Sequence, residues 1–305
     1  MKTVRVYYAG IPAKNNKQEK RDVLTNFHLG VGTDGHSTLV ESPDWQPSDL
    51  AVLQGWVHAN SGNSPHLMFR KKVIAEQKRI GKHTLAIDSN LFLYKDPGNS
   101  KRYLRFSLDD VFPNTGNYFT DNVNPARWQQ IKKDLDIDLK PWKTDGKYIL
   151  ICLQRNGGWS MGGLDVMQWC NKTIKKIKEH TDRPIVVRCH PGDKRAQQYI
   201  RQLKDTSVMI SRKPNIIDDF KNSWATITYN SSPGVASAIE GVPVFVTDSN
   251  PKVSQAYDVA NTDLSQIEMP KVFDRQDWIE KISMSHYNFN DLRNGTAWKV
   301  IKEYL

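Results

Sequence analysis

At 305 residues the chain has room for one large or two medium domains, and 38% hydrophobic content with nine Trp and ten Phe excludes a disordered polypeptide. No run approaches the roughly 20 apolar residues of a membrane span and the N-terminus has no apolar signal core, so a cytoplasmic, membrane-free and monomeric protein is expected. The formal charge of +10 divides into +5 on either side of residue 145, which excludes a basic tail and leaves either a solubilising excess or a polyanionic partner.

In the first half, residues 4–9, 37–40, 50–53 and 84–87 read as strands and 17–27 and 65–80 as helices, a second-rank α/β pattern. The polar stretch 134–146, with Pro141 and Gly146, reads as a linker, giving an N-terminal domain over 1–140. From there strands and helices alternate. Residues 148–154 (YILICLQ) form a buried strand, and the helix 164–180 places Leu164, Met167, Cys170, Ile174 and Ile177 on one face. Then come a strand at 184–188, a helix at 193–204, a short strand at 207–210, a helix at 216–220, a strand at 224–229, a helix at 233–240 and a strand at 243–248. This alternation predicts a parallel sheet covered on both faces over a domain at 146–285, with a last helix at 290–305 in a C-terminal segment, 286–305, that packs back on the first domain. Cys152, Cys170 and Cys189 form no CxxC pair and read as reduced structural residues.

In such sheets ligands bind beyond the carboxyl ends of the strands, which directs attention to the loops there. Tyr229-Asn230-Ser231-Ser232-Pro233-Gly234 ends one strand, with Ser232 as a helix cap and Pro233 in the first turn, so that Asn230, Ser231 and Ser232 converge where a phosphate is bound; a capped helix without ligand is the alternative. Arg188-Cys189-His190-Pro191-Gly192 closes the preceding strand, offering His190 and Arg188 to phosphate oxygens, and Arg155 in Gln154-Arg155-Asn156-Gly157-Gly158 adds a further cation. Glu240 is a candidate for a ribose hydroxyl. In the first half Asp88 follows a strand and faces the expected cleft between domains, where a carboxylate can take an acceptor proton or attack the sugar. Asp34 and His36 are a second candidate catalytic group, or an ordinary turn. Asp109-Asp110 begins a turn near Pro113, no acidic pair has the placement of a metal site, and no essential metal is expected.

With these residues in place, the chain resembles GT-B-type glycosyltransferases of the capsule-polysaccharide and Kdo-transferase-like families. His190-Pro191, Ser231-Ser232 and the stretch 230–246 (NSSPGVASAIEGVPVFV) match their donor-domain motifs in order and placement. The resemblance implies two Rossmann-like α/β domains and a UDP- or CMP-linked sugar as co-substrate, with no separate cofactor. Residues 87–92 with Arg102 and Arg105 resemble the acidic motif and downstream Arg of the same families, where the acidic residue serves catalysis. Residues 292–298 are similar to endings of short bacteriophage glycosyltransferases.

Three functions follow. The first is sugar transfer from a nucleotide donor to a modified cytosine in duplex phage DNA, with Lys71, Lys72, Lys78, Arg79, Lys82, Arg102 and Arg105 toward the acceptor and Trp56 or Tyr118 as stacking aromatics. The second is the same chemistry on a capsule or lipopolysaccharide glycan. The third is a non-catalytic nucleic-acid-binding protein on a transferase-like fold.

Overall fold

Apolar residues spaced for strands and amphipathic helices assemble into two sheets with helical cover. In this computed structural model, which describes residues 1–11, 17–58 and 61–305, the chain begins with β1 (Thr3–Tyr7), α1 (Lys17–Val31), β2 (His36–Val40), β3 (Leu50–Gln54), α2 (Pro65–Arg79), β4 (His83–Ser89), β5 (Leu104–Leu108) and α3 (Pro125–Leu135). It continues with β6 (Tyr148–Cys152), α4 (Val166–Ile177), β7 (Ile185–Arg188), α5 (Ala196–Tyr199), β8 (Met209–Ile210), α6 (Ile216–Phe220), β9 (Ser223–Thr228), α7 (Pro233–Ile239) and β10 (Val244–Val246). The last elements are α8 (Gln276–Ser283), β11 (His286–Tyr287), α9 (Phe289–Arg293) and α10 (Thr296–Ile301).

The chain divides into a first unit, Met1–Ile131 with Glu280–Leu305, and a second, Lys132–Ile279. It therefore passes from one to the other inside α3 and returns inside α8, and the polar stretch 134–146 belongs to the second unit. The first sheet has the order β11-β5-β4-β3-β1-β2. Its strands β2, β1, β3 and β4 are parallel, while β5 and β11 run antiparallel to their neighbours. The second sheet, β10-β9-β6-β7-β8, is parallel throughout.

Each unit has its own core. Val4, Val6, Leu50, Val52, Leu85 and Ile87 project from the first sheet against Leu24 and Phe27 of α1 and Trp298 of α10. Gly30 lets α1 approach α9, since a Cβ there would lie 1.8 Å from the Leu292 carbonyl oxygen. In the second unit Ile149, Ile151, Val187 and Ile227 pack on Val166, Cys170, Ile174 and Ile177 of α4, which starts where the Asp165 carboxylate accepts from the Met167 and Gln168 amides. All three cysteines are free, and burial pushes the Cys152 and Cys170 thiols up to about 12.

Several elements differ from the sequence reading. The helix expected over 193–204 is one turn, α5, followed by a 3-10 turn at Ile200–Gln202; the Asp193 carboxylate closes a local turn on the Arg195 amide instead of opening a long helix. The helix expected over 290–305 is broken into α9 and α10 by Gly295 at φ 82°, the left-handed conformation that favours glycine. Strands β5 and β11 and helix α3 had no counterpart in the sequence reading.

Candidate functional site

The carboxyl ends of β6, β7, β9 and β10 bring four polar loops together in the second unit. Asn156 fixes the first: its amide N–H donates to Asp193 (3.1 Å), its side-chain amide donates to Asp165 (3.1 Å), and its Oδ1 accepts the Val166 N–H (3.1 Å). Gln154, buried at the end of the same strand, accepts the Asn230 N–H at 3.2 Å, and the Asn230 side chain donates to Asp248 at 2.7 Å and to the Ser160 carbonyl at 2.9 Å. These cross-links hold Arg155, His190 and Ser231 on one sheet edge. The depression lined by Gly146, His180 and Arg183 lies at the opposite, amino edge of this sheet.

His190 is oriented by its own turn. Its Nδ1 accepts the Gly192 N–H at 3.0 Å, so in the neutral ring the proton sits on Nε2, which can donate outward. Burial, with Arg155 as the next cause, lowers its pKa and keeps the ring neutral near pH 7. Arg155 lies over Gly192, where a Cβ would come within 2.6 Å of its Nη2 and 3.2 Å of the His190 Cε1, so glycine makes room for the two groups to converge. Among the described residues Ser231 Oγ is buried with no hydrogen-bond partner, as is Thr228 Oγ1 at the end of β9. An unsatisfied buried hydroxyl costs about 1–3 kcal/mol, a cost that a ligand oxygen would relieve.

Other sequence candidates lie elsewhere. Ser232 is exposed at the N-cap of α7 but in helical conformation, and its side chain makes no capping bond; the α7 start rests on Pro233 instead. Arg188 turns away from the loop cluster, into an ion pair with buried Asp219 (2.7 Å) and a hydrogen bond to the Lys213 carbonyl (2.9 Å), which fastens β7 to α6. Glu240 ends α7 at the far end from the serine pair, roughly 10 Å along a helix of this length, where it is buried and paired with Lys140.

In the first unit Asp88 and Arg105 face each other across β4 and β5 and form an ion pair at 2.8 Å. Asp34 is engaged away from the loop cluster: it accepts from Trp298 Nε1 at 2.5 Å and from Lys302, tying the α1–β2 loop to α10. His36 opens β2 at the amino edge of the sheet, away from the strand ends where ligands bind. Asp109 and Asp110 are structural: Asp109 pairs with His83 at 2.7 Å, and Asp110 accepts from Thr115 at 2.8 Å. The basic group on α2 is largely occupied, with Lys71 bonded to the Ser61 carbonyl, Arg79 to Glu76 and Lys82 to Asp49; Lys72 and Lys78 are exposed. Arg102 stacks on Phe289 (4.8 Å), and Tyr118, nearly buried, donates to the Val111 carbonyl. Among the described residues no group of three His, Cys, Asp or Glu side chains is placed to hold a metal ion, and no helix is long and apolar enough to cross a membrane.

No family model and no curated protein matches the sequence. Solved structures do. The β-Kdo 2,4 transferase of Thermosulfurimonas dismutans KpsC matches with a TM-score of 0.53 at 14% identity, over 93% of this chain and 89% of that one. The β-Kdo 2,7 transferase of the same KpsC matches with a TM-score of 0.55 at 11% identity, over the whole of both. The chain has a GT-B fold. Its two α/β units are the two Rossmann-like halves of that fold, and the loop cluster at Arg155, His190 and Ser231 lies on the second half.

Gln154, Asn156, Asp193 and Asp248, which hold the loops, were not singled out from sequence as site residues. Their signal was position alone: each lies within a few residues of a strand's carboxyl end.

Proposed function

We propose that this protein is a glycosyltransferase whose second unit binds a nucleotide-activated sugar, UDP- or CMP-linked, and transfers the sugar to a hydroxyl of a glycan. The observation that carries the reading is the convergence of Arg155, neutral His190 with an outward Nε2–H, and the unpartnered Ser231 hydroxyl at the carboxyl edge of a parallel sheet. These are donors for phosphate oxygens. In the reaction the bond from the anomeric carbon to the phosphate oxygen breaks, the phosphate leaves with the electron pair, and the acceptor oxygen bonds to that carbon. Asp88 is the carboxylate assigned to the acceptor proton, with Arg105 orienting it through the 2.8 Å ion pair.

A glycan acceptor is favoured over DNA. Arg79 and Lys82 of the basic group on and just after α2 are already ion-paired, and two solved structures of similar fold are named as Kdo transferases. The +10 charge keeps modified-cytosine DNA as the second reading. The deciding assay incubates the protein with UDP-, GDP- and CMP-sugars and either oligosaccharide or hydroxymethylcytosine duplex, reading products by mass. A sugar gained by the glycan supports the first reading and one gained by the base the second. Failure to bind any nucleotide and to consume any donor would sink both.

A further inference from the structure

Among the described residues Arg70 is a buried cation without an ion-pair partner. Only 6% of it is exposed. Its Nε donates to the Gly10 carbonyl at 2.8 Å, just beyond β1, and its Nη1 would lie 2.9 Å from a Cβ on Gly55, just beyond β3, where glycine at φ 88° leaves room. The guanidinium is thus seated between the carboxyl ends of two adjacent parallel strands, the edge at which α/β sheets bind ligands. With Nε committed, the Nη groups make no hydrogen bond among the described residues, and a guanidinium fork matches two oxygens of one oxyanion.

The surrounding charge lacks an anion. The carboxylate whose field reaches Arg70 is Asp88, which is already paired with Arg105 at 2.8 Å. Residues 12–16 and 59–60 contain no Asp or Glu, so the missing anion does not come from them. Burial pulls the Arg70 pKa down to about 10. Lys20 and His66 are lowered as well, by burial first and by Arg70 next, with Glu19 opposing the effect on Lys20. A buried charge is costly until it is paired.

We propose that Arg70 binds the oxyanion, carboxylate or phosphate, of a charged sugar substrate at the carboxyl edge of the first sheet, with Lys20 adding positive potential and the nearby His66 ring adding a hydrogen bond. That the ligand is a sugar rests on the transferase reading; that an oxyanion binds does not. The test is an NMR titration of the full chain with glucuronate, glucose 1-phosphate and neutral glucose. At least one acid binds and glucose does not, and the stronger of the two identifies carboxylate or phosphate. Arg70→Gln weakens that binding about tenfold or more, as loss of a charge-assisted hydrogen bond does. Arg70→Lys, which keeps the charge without the fork, and His66→Ala, on a more exposed residue, weaken it by smaller factors and keep the test readable if Arg70→Gln unfolds. Equal binding of glucose and its acids, no binding of either acid, or full affinity in the Arg70 variants overturns the proposal. UDP and CMP are titrated in parallel: nucleotide binding without sugar-acid binding defeats this inference alone, and the reverse defeats the transferase reading alone.

Discussion

Acidification should destabilise the first unit through one side chain, His286. Its ring is fully buried beside β5, with Nε2 accepting the Leu91 N–H at 3.1 Å and Nδ1 2.7 Å from the Ile282 carbonyl. The neutral tautomer protonated on Nδ1 satisfies both contacts. A second proton would set Nε2–H against the Leu91 N–H in a site where burial lowers the pKa from 6.5 to about 3, opposed by the Ile282 bond and reinforced by the lesser Arg105 and Arg127 charges. Above pH 6.5 both folded and unfolded chains carry neutral His286 and it contributes no pH dependence. Below it the unfolded chain takes a proton that the folded chain refuses, so stability falls by about 1.4 kcal/mol per pH unit until about pH 3. Between pH 7 and pH 5 that amounts to about 2 kcal/mol, or a melting-temperature drop of about 4–8 °C. Urea unfolding of wild type and His286→Gln at pH 7, 6 and 5 isolates the effect, because the other histidines are common to both. The variant starts less stable and should lose about one proton's worth of slope. Parallel stability-against-pH curves for the two proteins would refute the reasoning.

His190→Ala should weaken UDP or CMP binding roughly ten- to a hundredfold by calorimetry, the loss of one hydrogen bond to a charged group; unchanged affinity would remove His190 from the donor site. Ser231→Ala should leave the free protein as stable as wild type or more stable by up to about 1–3 kcal/mol, since it removes a buried hydroxyl that has no partner among the described residues, while reducing nucleotide affinity. A destabilised variant with normal affinity would show the hydroxyl to be structural. Arg127→Met breaks a buried pair with Asp291 at 2.5 Å and should cost about 3–5 kcal/mol in urea unfolding; a cost under about 1 kcal/mol would contradict the burial argument. Gly30→Ala should cost about 1–3 kcal/mol or more by forcing α1 away from α9, and a variant as stable as wild type would show that the close approach is not required.

The second unit was the more legible half because its strands are buried on both faces and read as unbroken apolar runs; 216–220 as a helix and the strand at 148 fall where the sequence placed them. The overlooked β5 carries a two-residue period, with Leu104, Phe106 and Leu108 inward and Arg105 partly exposed between, but one short alternation among turn residues gives little signal. Helix α3 has Trp128, Ile131 and Leu135 at helical spacing, yet its polar tail merged into the stretch taken as a linker. At the site, sequence supplied residue types at strand ends but not their partners. Arg188 is diverted by Asp219, thirty-one positions away, and Asp34 by Trp298 and Lys302, more than 260 away. Local pattern carries no information about pairings at such separation.

The first sheet is completed by β11, which comes from residues made long after β1 to β5. Lys132–Ile279, by contrast, form one continuous stretch. During synthesis on the ribosome the second unit can therefore reach its final packing while the first still waits for its edge strand, for Trp298 and for the Asp291 partner of Arg127. Assembly then runs opposite to the order of translation: the half begun first is finished last, and a chain halted near residue 280 would hold a folded second unit beside an open sheet edge.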